Sequence, residues 1–301
     1  MTRRPPLLLA AAVAAGLLAA GSPPAVAQSG APRALAFQDV LKGTDETSLR
    51  WPVAVAAASD EEVAVADAFG PRLLRFRRVG VSWQLDRTVA LGGAPIGLAW
   101  DGRRYVASLR QGAGLVAFEE AGLVQRPLPL PRGAVPGALA VLPGGELLVY
   151  DEASRHVLRL REGKPAGEIE IAGQVTALAG SPTGGLFAAI AAEGSVVHVD
   201  ASGKKDAVWK LPASEQVPAW PSGLVVEPGG AVLVVDRHAG RLLVLDALGQ
   251  VAGVGSRQGW EPGLLLFPAG IARLPGGLVL VADEGNGRAQ LFRRTGAGSP
   301  P

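Results

Sequence analysis

The 301-residue chain has no cysteine, which excludes disulfides, thiolate metal sites, covalent haem attachment and a lipidated cysteine. Charge is scarce: Asp, Glu, Lys and Arg make up 19% of the residues, against 48% that are apolar. Such a balance supports a large buried core and argues against a disordered chain. Nowhere do five like charges follow one another, so the chain offers no polybasic arm for nucleic acid or an anionic membrane. No segment of helical period follows the first 27 residues, and the Gly-x-x-x-x-Gly-Lys-Ser/Thr and dinucleotide fingerprints are both missing. Nucleotide chemistry is not expected. Without cysteine, nucleophilic catalysis would need a Ser/His/Asp set, and no Gly-x-Ser-x-Gly elbow occurs.

The first residues have the form of a secretory signal. Arg3 and Arg4 give a basic start, Leu7 to Ala20 an apolar stretch, and Ala25-Val26-Ala27 a small-residue cleavage site. That stretch is about 14 residues, shorter than the roughly 20 of a spanning helix. Residues 1–27 are therefore expected to be removed, leaving a soluble periplasmic or secreted protein. Removing Arg3 and Arg4 from the 29 basic residues leaves 27 against 27 acidic ones, so the high pI near 9.2 does not point to nucleic acid.

What remains is dominated by an internal repeat. Starting segments align as Trp51-Pro-Val-Ala-Val-Ala, Ala94-Pro-Ile-Gly-Leu-Ala, Val135-Pro-Gly-Ala-Leu-Ala, Val175-Thr-Ala-Leu-Ala, Trp220-Pro-Ser-Gly-Leu-Val-Val and Phe267-Pro-Ala-Gly-Ile-Ala. Their second residues, at 52, 95, 136, 176, 221 and 268, are spaced by 43, 41, 40, 45 and 47. Each period fits four short strands with their turns and is too short for an independent domain. Within a unit, a Pro-Gly-Gly type turn leads into an apolar strand ending in Asp67, Asp151, Asp236 or Asp283. Continuous apolar runs in those second strands predict burial on both faces. Alternating third strands such as Arg72 to Phe76 predict a position nearer solvent. Fourth strands are expected near Trp83–Leu91, Glu168–Ile171 and Ala207–Leu211. The sixth unit ends at about Arg294 after three strands, so residues 33–40 are expected to pair with it and close the ring. Residues 295–301 are expected to form a flexible tail.

Units one, three, five and six carry a family resemblance, most clearly the last two. Pro221-Ser-Gly-Leu-Val-Val with Asp236, Arg241 and Leu243, and Pro268-Ala-Gly-Ile-Ala with Asp283, Asn286, Arg288 and Phe292, resemble NHL repeats. The resemblance covers about residues 50 to 294 and implies an all-β, six-bladed β-propeller. Units two and four depart from it, with Ser108 and Ala192-Glu193 read at the place of the strand-end Asp.

The four Asp residues suggest either a carboxylate ring for a metal or turn caps paired with Arg72, Arg155, Arg241 and Arg288; the repeat in a regular turn favours caps. Some propellers resembling this family are lyases that hold zinc on three histidines. Here His156, His198 and His238 fall at three different repeat positions, so no such centre is expected. Lactonase-like relatives hold a metal with channel-facing oxygens, whereas the first strands here offer mostly Ala, Gly, Leu and Val. No cofactor or metal is expected. The aromatics Trp51, Trp220 and Phe267 are expected to pack between blades. Trp260 is the preferred exposed candidate, with Arg155, His156, Arg237, Arg241, Asn286 and Arg288 as polar contacts on the upper face. The expected function is a non-enzymatic, monomeric binding platform for a protein or polymer in the cell envelope; a metal-dependent lyase or lactonase is the alternative.

Overall fold

The computed structural model describes residues 33–119 and 124–295. The expected signal segment 1–27 lies outside them, as does all of the expected tail except Thr295. Six four-stranded antiparallel sheets are arranged as the blades of a propeller. Blades one to five span residues 52–90, 95–127, 136–170, 175–210 and 221–255. The sixth combines strands Ile271–Arg273, Leu278–Asp283 and Arg288–Arg294 with Leu35–Leu41 from the start of the chain.

Leu35–Leu41 pairs antiparallel with Arg288–Arg294, Phe37 facing Phe292, with a register shift between Phe37 and Asp39. It begins two residues later than the expected 33–40 segment. Its ends are held as well: Ala34 N–H donates to Val254 O at 3.0 Å and Thr295 N–H to Ala34 O at 2.9 Å. Leu35 and Leu41 are buried, so the outer edge of the last blade is capped by apolar packing as well as by backbone pairing.

Second strands are buried on both faces, as their apolar runs require: Val232–Asp236 and Leu147–Asp151 have no exposed residue. The third strands depart from expectation. Arg241–Leu245 is also buried throughout, and Arg288–Arg294 is buried over its first five residues. Strands two and three form the middle of each sheet, and adjacent blades cover both of their faces. Solvent instead meets the fourth strands, as along Ser82–Ala90. The other two fourth strands expected from the sequence run Lys164–Glu170 and Lys205–Lys210, and those of blades two and five run Val124–Pro127 and Val251–Gly255. Between blades three and four, Leu148, Tyr150 and Val157 pack with Leu178, Leu186 and Ile190. Each such fully buried side chain contributes about 1.5–3 kcal/mol relative to exposure.

The repeat glycine brings the innermost strands together. A Cβ on Gly223 would lie 2.9 Å from Ala269 O of the next blade, closer than a side chain permits. The axial void consequently holds only about 70 Å³, and its lining contains no Asp, Glu or His. Thr176 and Ser222 face it but spend their hydroxyls on Pro221 O (2.7 Å) and Pro268 O (2.9 Å).

Candidate functional site

The loops between strands two and three share one face with the links between blades, and the strand-end Asp residues lock the two together. Asp67 accepts the Trp51 N–H at 2.9 Å, Asp151 the Val135 N–H at 2.7 Å, Asp236 the Trp220 N–H at 3.0 Å and Asp283 the Leu266 N–H at 2.7 Å. Arg72, Arg241 and Arg288 pair with Asp67, Asp236 and Asp283 at 2.9, 2.9 and 2.8 Å. Arg155 does not complete the set. At Asp151 the hydroxyl of Ser154 takes the place of the guanidinium at 2.6 Å, and Arg155 is exposed with a φ of 62°. Burial alone would raise the Asp151 carboxyl, but the Ser154 hydroxyl and the amides of Val135, Ala153 and Ser154 outweigh it and hold the group below its ordinary value.

Pairing with the first-strand residue also corrects the alignment of the divergent units. Pro95 faces Leu109 and Val175 faces Ile190, as Pro52 faces Asp67. Leu109 and Ile190, not Ser108 and Ala192-Glu193, thus stand where the Asp would be. Ser108 is a different clasp: buried, it accepts from Gly97 N–H and donates to Gly137 O at 2.6 Å.

On this scaffold, blades five, six and one display an aromatic rim. Trp51, Trp220 and Phe267 were expected between blades but are 51%, 36% and 44% exposed. The Asp clasps fix the Trp51 and Trp220 backbones, and the following prolines, Pro52, Pro221 and Pro268, take the buried places. Neighbouring polar groups tie the rings into one network. Arg237 makes a double ion pair with Glu284 at 2.7 and 2.8 Å, donates to Phe267 O at 2.9 Å, and lies 5.8 Å from the Phe267 ring centre. Glu284 also accepts the Trp51 indole N–H at 2.5 Å. His238 stacks on Trp220 at 4.9 Å, and Arg50 covers the exposed Phe69 ring at 4.8 Å.

Trp260, 75% exposed, stands beside this rim on the link between blades five and six. The residues expected as surface contacts around it mostly hold the link instead. Arg288, only 6% exposed, donates to Glu261 O at 2.8 Å and Leu264 O at 3.1 Å. Asn286 donates to Gly259 O at 3.0 Å, and Gln290 both donates to Leu264 O and accepts from Gly263 N–H. Arg241, 3% exposed, pairs with Asp236 and donates to Pro212 O at 2.6 Å. Arg241 and Arg288 are therefore scaffold, because a repeat turn with a buried Asp draws its Arg inward. Arg237 lies within the rim; Arg155 and the partly exposed His156 lie on blade three, apart from it.

Glu284, Phe69 and Arg50 were not singled out in the sequence. Glu284 had a signal: it follows Asp283 just as Arg237 follows Asp236, giving opposite charges at equivalent places of adjacent units. The three histidines remain separate, His238 on the rim, His156 on blade three and His198 near the opposite strand ends of blade four. Among the described residues no three His, Asp or Glu side chains gather to hold a metal ion, and no helix is long and apolar enough to cross a membrane.

No family model matches the chain. Over 72 residues, 24% of its length, it is 38% identical to the putative gene 45 protein of Bacillus phage SP01, of which the match covers 68%. Among solved structures it is similar to an auxiliary nutrient binding protein from Bacteroides thetaiotaomicron, at TM-score 0.66 and 13% identity over 87% of this chain and 76% of that one. It is also similar to virginiamycin B lyase from Staphylococcus aureus, at TM-score 0.60 and 14% identity over 86% and 99% of the two chains. A structural genomics protein of unknown function from Bacteroides thetaiotaomicron gives TM-score 0.66 at 15% identity over 87% and 76%. At these identities the structural likeness establishes the propeller fold and nothing finer.

Proposed function

We propose, for a chain that belongs with the phage gene 45 protein over that shared stretch and folds as a six-bladed β-propeller, the role of an exported, non-enzymatic binding platform of NHL-repeat type. The observation that carries this reading is the rim of Trp51, Phe69, Trp220, Trp260 and Phe267, exposed on one face beside His238 and the half-buried Arg237–Glu284 pair. Exposed aromatics interleaved with Arg are the residue types that anchor protein interfaces. The Asp clasps and the pinned link hold them in place before any partner arrives, which lowers the cost of binding. The partner is a protein or polymer of the cell envelope, and export rests on the signal-like residues 1–27. The similarity to a nutrient binding protein is compatible with such a role. The lyase similarity is not favoured by a particular residue: the axial void is narrow and lined without acidic or His side chains.

Affinity capture from the native envelope fraction, with metal analysis of the same sample, tests the reading. Wild type is expected to retain a stoichiometric partner that Trp260→Ala and Trp51→Ala each lose while remaining folded. Capture unchanged in both variants, or stoichiometric zinc or calcium with no partner, refutes it.

A further inference from the structure

At the strand ends opposite the aromatic rim, a groove of about 700 Å³ opens between blades four and five. Its size falls in the range of small-molecule sites, roughly 300–1,000 Å³. Blade four supplies the wall. Phe187 and His198 are cross-strand partners, and their ring centres lie 4.4 Å apart. Trp209 stands 5.3 Å from Phe187, the planes tilted by 39°. Blade five supplies the facing side with Val226, the Pro228 turn and Leu248, which is 77% exposed at the mouth.

This wall is unlike its counterparts. At the equivalent cross-strand pair, blade one has Ala64 with Arg75 and blade three has Leu148 with Arg159. Both guanidiniums are ion-paired, to Asp86 and Glu146. Blades two, five and six have Val106 with Ala117, Leu233 with Val244 and Leu280 with Leu291, all without a polar group. Only blade four combines an aromatic ring with an imidazole there.

The imidazole is also oriented. His198 Nδ1 lies 2.6 Å from Asp206 Oδ1, and because a carboxylate only accepts, Nδ1 carries the proton and donates it. In the neutral ring Nε2 is then an acceptor, with no hydrogen-bond partner among the described residues. Trp209 is fixed from outside: the turn carrying Gly249 lies so close that a Cβ there would be 2.3 Å from an indole atom. The groove therefore has the nearly buried Phe187 behind its wall, the partly exposed Trp209 beside it, and His198 and Asp206 as acceptors in a mainly apolar lining.

We propose that this groove binds a small planar aromatic molecule bearing a ring hydroxyl. Trp209, backed by Phe187, and the Pro228 turn contact its ring system, and its hydroxyl donates to His198 Nε2. Aromatic pairs add about 0.5–1.5 kcal/mol beyond area burial, and the hydroxyl supplies selectivity because an ether cannot donate to that acceptor. This site is independent of the rim and of the platform reading.

The test titrates the whole protein with 2-naphthol and with 2-methoxynaphthalene, which has the same ring system without the donor, using ligand-observed NMR. Wild type is expected to bind 2-naphthol about fivefold or more tightly than the ether. His198→Phe should abolish that preference while still binding the ether, and Leu248→Asp at the exposed mouth should weaken both. Trp260→Ala should change neither. If His198→Phe does not fold, His198→Leu provides the same comparison. Equal affinity for the two probes, a preference that survives loss of His198, or no binding of 2-naphthol at all would overturn the proposal.

Discussion

Trp51 and Glu284, 233 positions apart in the chain, share a hydrogen bond of 2.5 Å from the indole Nε1 to the carboxylate. It joins blade one to blade six, so the ring is latched on its upper face by side chains as well as closed at its outer edge by Leu35–Leu41. Glu284 is the common acceptor, since Arg237 of blade five donates to both of its oxygens. Glu284→Ala should remove the latch and the ion pair together and cost about 1–3 kcal/mol. Urea unfolding checks this, and Glu284→Gln, which keeps an acceptor for Trp51, should fall between. A loss below about 0.5 kcal/mol would mean that the network is decorative at the surface.

The Asp clasps should differ in strength according to what their loss leaves behind. Asp236→Asn removes the charge that faces Arg241, which is almost completely buried, and should cost about 3–5 kcal/mol. Asp67→Asn should cost less, because the Arg72 side chain is 18% exposed and water can take over part of its hydration. Denaturation midpoints of the two variants give the order directly; the reverse order would show that the backbone caps, not the ion pairs, carry the stability.

Stability should fall in acid through Glu146 and Asp151. The hydrogen bond from Arg159 is the main reason that Glu146 lies below its ordinary value; burial opposes it and Arg161 adds to it. A carboxyl lowered in the folded state binds protons less readily than in the unfolded chain, so its contribution is present above the unfolded pKa and lost as pH drops through the folded one. The stability difference between wild type and Glu146→Gln should therefore be greatest near neutrality and narrow as the pH is taken below the usual carboxylate range. A pH-independent difference, measured by thermal melts across that series, would contradict this.

Leu35→Ala should loosen the closing strand. Leu35 is 1% exposed and packs beside Gly255 of blade five, so truncation leaves a cavity worth about 2–5 kcal/mol. Deleting the chain through residue 41 should go further and bare the Arg288–Arg294 edge to pairing with other molecules. Size-exclusion chromatography should then show oligomers, and a monomer of unchanged melting temperature would refute the closing role.

The repeat spacing near 43 residues, the apolar second strands and the missing fourth strand of the last unit were enough to specify six blades and the need for an outside strand. Those features are local: they depend on strand period, turn chemistry and chain length, all readable along the sequence. The burial of the third strands was not readable, because Arg72 to Phe76 has the alternation of a half-exposed strand until neighbouring blades cover both faces. Nor were the roles of the arginines. Arg241 and Arg288, at one repeat position, turn inward to Asp236 and Asp283, while Arg237, directly after Asp236, meets Glu284 on the next blade. The outward turn of Trp51 and Trp220, the latch between Trp51 and Glu284 and the groove beside His198 all join residues on strands or blades that only ring closure makes neighbours. Sequence alone determined the number and order of the blades; tertiary structure decided which side chains meet, because those contacts run across the sheet and between blades instead of along the chain.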